Sequence, residues 1–308
     1  MSIQLPISHI QGTLLPKEGS LKEDSSQTFQ NSQKNLPADA IRQALERGEI
    51  VEFEKGQYKT RDLIPRNKQR ILGEGSYGTV AEHQDLPNRV IKASTKFMGG
   101  LAYRSFVDEW KIGTLLSKDL SICPHFPRTY GLLIKRGRKT CRLMMEKIEG
   151  KTLGFLERTF QNVQVIQSLF TQAEKCCLYL LKKNILCEDI KNENMMLDLT
   201  TSPPRLVLID FGAWIELSPN SRSVTTLALT IHMLNKASEM IFPISQLYHD
   251  ERAHLSLEGF GSDEDLKRYP LSEEEEKNIH TLQDRSVWLI KRHFQEARRC
   301  FEQSSLTH

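Results

Sequence analysis

The chain has 308 residues, enough for one medium domain with an appendage or for two small domains. Apolar residues make up 39% and charged residues 26%, which supports a packed core in a soluble protein. The 42 basic and 39 acidic residues leave a net charge of +3, too balanced to argue for nucleic acid or an anionic membrane as a partner. No run reaches the apolar length of a membrane span, and no basic start followed by an apolar stretch marks a secretory signal peptide. The six cysteines, Cys123, Cys141, Cys176, Cys177, Cys187 and Cys300, include no C-x-x-C pair, so free thiols in a reducing compartment are expected. Cys123 and His125 have no second pair at ligand spacing, which argues against zinc.

Residues 1–37 are rich in Ser, Gln, Asn and Lys without a sustained apolar period, and are expected to be disordered. An extension over 38–64 follows. Its "PADAIRQALERG" predicts a short helix, with Ile41 and Leu45 four apart and Gly48 as the stop. "EIVEFEKGQYKT" alternates like a short strand pair turning near Gly56. From Arg66 to Cys300 one long pattern runs without internal repeats.

"LGEGSYGTV", Leu72 to Val80, carries glycines at 73, 75 and 78. Glycines let backbone approach a phosphate closely and turn N–H groups toward its oxygens. A dinucleotide fold needs a helix immediately after them, whereas "AEHQDLPNRVIKAS" reads as strand, Pro-Asn turn, strand. That suits a hairpin flap over a nucleotide; an ordinary Gly-rich hairpin is the plainer alternative. Lys92 lies inside the apolar strand "RVIKAS", and a buried ammonium needs anionic partners. "LAYRSFVDEWKIGTLLSKDL" predicts a helix that offers Asp108 or Glu109 as the carboxylate, with Glu109 favoured because Ile112 and Leu116 share its inner side.

Residues 161–183 place Val163, Ile166, Phe170, Ala173, Cys177 and Leu180 on one helical face. "CEDIKNEN", 187–194, then sets Asp189, Lys191 and Asn194 in a tight polar loop. The Asp can accept a proton from an attacking hydroxyl, the Lys can neutralise a moving phosphoryl group, and the Asn can ligate a divalent ion. "LVLIDFG" ends an apolar strand in Asp210, an expected hard oxygen ligand for magnesium on a nucleotide. The last predicted helix covers 272–301, opens at Ser272 with an acidic first turn, and carries Ile279, Leu282, Leu289, Phe294, Ala297 and Phe301.

Taken together, these motifs resemble the protein kinase superfamily over about residues 66–300. The resemblance implies a bilobal α+β fold: a five-stranded antiparallel N-lobe with one helix over 65–145, a mostly helical C-lobe over 146–303, and a tail, 304–308. It implies transfer of the ATP γ-phosphoryl group to a protein Ser or Thr hydroxyl, with Mg2+, or Mn2+ in its place. Asp189, Lys191, Lys92 and Glu109 would be catalytic. Asn194 and Asp210 would hold the metal. Leu72, Gly73, Gly75, Ser76, Gly78, Val80 and Lys92 would bind ATP. "LMMEKIEGKTL" looks like the strand and hinge that hold adenine, with Met145 as gatekeeper and backbone groups of Glu146 to Ile148 on the purine. Lys191 favours Ser/Thr over Tyr and argues against a small-molecule kinase.

Departures are equally specific. The family's H-R-D reads Cys187-Glu188-Asp189, so the Arg that pairs with an activation-loop phosphate is a Glu, which would repel that phosphate. Cys187 can fill part of the missing His as a small hydrophobe. Gly113, four residues past Glu109, stands where the family packs an apolar side chain. No A-P-E follows, and "SVTTLALTIHML", 223–234, looks like the large-lobe central helix, with Ser223 in place of an Asp. The activation segment is thus shortened. In character the chain resembles compact, divergent kinases such as those bacteria inject into host cells, or some viral ones; the first implies 1–37 as a secretion leader, a host protein as substrate and a host activator as a further partner. That implies a cytoplasmic protein delivered to the host cytosol, with no nucleic acid and no membrane span. The rival is a pseudokinase scaffold that binds ATP or a host protein without phosphorylating it. "KRGRK", 135–139, reads as an exposed hairpin turn, "KRHFQEARR" as the wet side of a helix, and Trp214 as a core or lid aromatic.

Overall fold

In the computed structural model the described residues are 40–306 without 41–42, 46, 48, 54–69, 75–77, 84, 95–99, 122, 136–139, 157, 218–223, 249–271, 274, 276–278 and 280. All of them belong to one compact unit, Leu36–His308. The expectations for residues 1–37, for the second strand of the extension, for the "GRK" tip and for Gly75, Ser76 and Ser223 lie outside the described residues.

The N-terminal half is a six-stranded sheet in the order β1-β5-β6-β4-β3-β2. Its strands are β1 (Ile50–Phe53), β2 (Ile71–Glu74), β3 (Thr79–Glu82), β4 (Arg89–Ala93), β5 (Thr129–Lys135) and β6 (Thr140–Glu146). Helix α1 (Gly100–Ser117) covers one face. The expected five antiparallel strands need correction: β1 adds a sixth, and it runs parallel to β5, Ile50 opposite Leu132 and Phe53 opposite Lys135. The reason is a close backbone approach. A Cβ on Gly131 would sit 2.5 Å from Leu45 Cα, so the short helix through Gln43–Leu45 can press onto β5. Ala44, Leu45 and Val51 are buried there, and the extension becomes part of the sheet.

Period-2 alternation then sorts the side chains. Ile91, Leu133 and Met144 join the cluster around Leu45, while Val90, Leu132, Leu143 and Met145 pack with Phe106 of α1. Lys92 is two residues from Val90, so it emerges on the α1 face.

The second half holds helices α2 (Val163–Lys182), α3 (Val224–Ser245) and α4 (Leu282–Leu306). Asn162 caps α2, its side chain accepting from the Gln164 amide at 2.8 Å. Ile166, Phe170, Ala173, Cys177 and Leu180 on its inner face are fully buried, against Leu289, Phe294, Ala297 and Phe301 of α4 among others. The same half holds a sheet of β7 (Gly150–Thr152), β9 (Met195–Asp198) and β10 (Arg205–Leu208), and a pair, β8 (Ile185–Leu186) with β11 (Ile215–Glu216). A helix starts at Ser272 as expected, with Glu273 and Glu275 helical, but the single helix expected over 272–301 is divided and α4 is its second part. Ser272 and Glu275 close a reciprocal capping box, and Thr281 with Asp284 closes a second one that starts α4. Between the two capped starts the chain is non-helical at Ile279 and Thr281. Among the described residues no helix is long and apolar enough to cross a membrane. All six cysteines are free thiols.

Candidate active site

A cleft of about 610 Å³ opens between the sheet and the helical half. Lys92 and Glu109 form its inner wall. Lys92 Nζ lies 2.8 Å from Glu109 Oε2 and 2.7 Å from Asp210 Oδ1. The pair is with Glu109 and not Asp108, because Glu109 is the α1 carboxylate that faces the sheet, 1% exposed. Burial disfavours the Lys92 charge, but Glu109 and Asp210 outweigh it and hold its pKa above the usual lysine value. Burial pushes the Glu109 carboxyl up, against the attraction of Lys92.

Gly113 has a structural reason. A Cβ there would overlap Thr129 Oγ1 on β5, so the glycine lets α1 lie flat on the sheet with Glu109 turned inward. Gly113→Ala should gain about 1 kcal/mol of helix propensity and lose about 1–3 kcal/mol by overpacking. A net destabilisation in chemical denaturation is expected, partly relieved when Thr129→Ala removes Oγ1 and Cγ2 and leaves only the Cβ at 3.0 Å.

The two glycines described in the β2–β3 hairpin differ. Gly73 faces open space, so its missing side chain leaves room at the cleft; a Cβ on Gly78 would come 2.5 Å from the Ala93 carbonyl, a packing need. Leu72, Val80, Val90, Met145, Ile148 and Met196 give the cleft apolar walls. The Glu146–Ile148 backbone is tied down as it passes: Glu146 N donates to Arg128 O, Lys147 N to Asn88 O, and Ile148 O accepts from Gly150 N.

On the opposite wall, Lys191 Nζ donates to both oxygens of Asp189, at 2.9 and 2.7 Å, and that bond raises its pKa. Asn194 Nδ2 donates to Asp189 O and Oδ2 at 2.9 and 3.0 Å, which leaves its Oδ1 as an acceptor. Ile209 N donates to Asn194 O at 2.9 Å, which brings the strand end carrying Asp210 beside the loop. Asp189 and Asp210 both have positive φ, 57° and 63°. Such backbone costs about 1–3 kcal/mol per residue and persists only where surroundings enforce it.

The donor set fits a hard divalent cation. Asn194 Oδ1 and the Asp210 carboxylate both line the cleft and could serve as oxygen ligands, and magnesium needs only one or two protein oxygens when phosphates and waters complete its shell. Among the described residues no group of three or more His, Cys, Asp or Glu could hold a metal by itself.

Supporting residues surround the loop, and of these His232, Lys236 and Ser105 had no local signal. Trp214 is a core aromatic: its ring packs 4.7 Å from Phe211, and its Nε1 donates to Glu188 O at 3.0 Å. Cys187 is fully buried in the same core, and burial lifts its thiol to about 12, so it stays protonated. Gly212 abuts Ser105 of α1, whose Oγ donates to its carbonyl at 3.3 Å. The α3 residues His232 and Lys236 reach Cys187 O and the Glu188 carboxylate.

No protein-family model matches the chain, and no curated protein matches it.

Proposed function

We propose that this chain is a protein Ser/Thr kinase that transfers the ATP γ-phosphoryl group to a protein hydroxyl. The observation that carries the reading is the bridging of Lys92 between Glu109 and Asp210, residues 17 and 118 positions away, in the cleft that also holds Asp189, Lys191 and Asn194. Phosphoryl transfer is mainly positioning and charge, and these groups supply both. The apolar walls suit a purine, and Lys92 suits its α- and β-phosphates. Asp189 orients the acceptor hydroxyl and takes its proton as the oxygen bonds to the γ-phosphorus. The bond to the β-phosphate oxygen breaks and ADP leaves. Lys191 offsets charge on the moving group. Asp210 and Asn194 would hold a divalent ion, which would supply positive charge to neutralise the phosphates.

The shortened segment after Gly212 and the Ser/Gln-rich N-terminal residues suit an effector acting on a host protein, a part of the reading that rests on the resemblance. The test is transfer of labelled γ-phosphate from magnesium-ATP to the chain itself and to a generic basic protein, beside Asp210→Ala. Label present in the natural chain and lost in the variant supports the kinase. Absence of label with nucleotide-dependent thermal stabilisation supports an ATP-binding scaffold, and absence of both removes the nucleotide site.

A further inference from the structure

The loop that carries Asp189 is held from outside by two successive backbone carbonyls. His232 Nε2 lies 2.8 Å from Cys187 O, and Trp214 Nε1 lies 3.0 Å from Glu188 O. The Glu188 side chain adds a third tie. Its carboxylate lies 3.5 Å from Lys236 Nζ and 3.8 Å from His232 Nδ1. His232 and Lys236 are four apart on α3, so one helical face presents both to the loop.

We propose that Lys236 and His232 of α3 are positioning residues for Asp189, forming a charge-paired latch on Glu188 and Cys187 that keeps the loop in its working conformation without any added phosphate. The inference rests on the phosphotransfer reading of the site. It assigns Glu188 a partner of opposite charge within the chain, at the position where the resemblance leads one to expect an Arg.

The division of labour follows from geometry. His232 donates its Nε2 proton to the Cys187 carbonyl. Burial holds the ring below its usual pKa, so at neutral pH Nδ1 carries a lone pair and offers Glu188 no proton. Lys236 is therefore the cation that Glu188 meets. Its side chain is 12% exposed, and Glu239 already pairs with it at 3.0 Å within α3. The helix thus has its charge satisfied without Glu188, and the Glu188 contact acts on the loop. The loop needs such fixing because Asp189 sits at φ 57°.

The test is a charge swap in the full chain, comparing Glu188→Lys, Lys236→Glu and the double variant, with His232→Gln as a conservative replacement that keeps a side-chain N–H donor. Each single reversal should lower kcat about tenfold with KM for ATP within about twofold, because the latch touches the loop and not the nucleotide wall. The double variant should recover most of kcat, and His232→Gln should retain more activity than His232→Ala. A purely structural role would lower thermal stability without this split between kcat and KM. Hydrogen exchange of the backbone amides over 185–190 gives a readout independent of turnover. Exchange should quicken in the single variants and slow again in the double one. If the natural chain transfers no phosphate but this exchange pattern holds, the latch stands and the kinase reading falls. Single reversals that leave both kcat and exchange unchanged, or a swap no better than either single, overturn the latch.

Discussion

Replacing Asp189 with Asn should lower the rate of phosphoryl transfer about 10²–10⁴-fold, the usual contribution of a positioned general base. The substitution is nearly isosteric. The Asn194 bond to the Asp189 carbonyl survives it, since that acceptor is backbone. What is lost is a carboxylate that can take the hydroxyl proton, together with the ion pair to Lys191. Lys191 should then lose the bond that raises its pKa. Binding of ATP should change little, because Lys92, Glu109 and the apolar walls lie across the cleft. Single-turnover label transfer beside a nucleotide titration measures both quantities. A fall in rate of less than about tenfold would show that Asp189 is not the base.

Lys92→Met should have the largest effect on stability. Glu109 would be left as an uncompensated carboxylate with its side chain 1% exposed. Breaking a buried pair by removing one partner costs about 3–5 kcal/mol. Removing both, as Lys92→Met with Glu109→Leu, should recover most of that loss, while phosphoryl transfer stays abolished in both variants.

The pH dependence has a definite sign. Glu109 already has a raised folded pKa through burial, opposed by Lys92. Without Lys92 it rises further. A raised folded pKa gives stability that is present at low pH and lost as pH climbs through that value. The deficit of Lys92→Met against the natural chain should therefore be smaller at pH 5 than at pH 8. Lys92 itself is held above its ordinary value, so its own contribution is lost only in strong alkali, as pH rises through the folded value. Denaturant titrations at the two pH values check the result.

Residues close in sequence, or set on a regular period, carried the features that could be read without the fold. The β2–β3 hairpin follows from glycines between apolar strands. The inward face of α2 follows from helical spacing: five of the six residues placed there are fully buried, and Val163 in the first turn is half-buried. Asp189, Lys191 and Asn194 meet in one loop because five positions separate the first from the last. Lys92 and Glu109 could be matched because a lone lysine in an apolar strand demands an anion and a neighbouring amphipathic helix offers one.

Tertiary packing decided the rest. That β1 would join the sheet in parallel depends on Gly131 yielding space to Leu45, a contact with no local period. Gly113 read as a departure until Thr129 proved to occupy the space its side chain would take. The division of the last helix follows two capping boxes nine residues apart, both formed and each legible alone. Trp214, His232 and Lys236 reach the Asp189 loop from 26 or more positions away. Local composition encodes which groups carry charge or apolar surface. Only the closed chain determines which buried carbonyl or carboxylate each one satisfies.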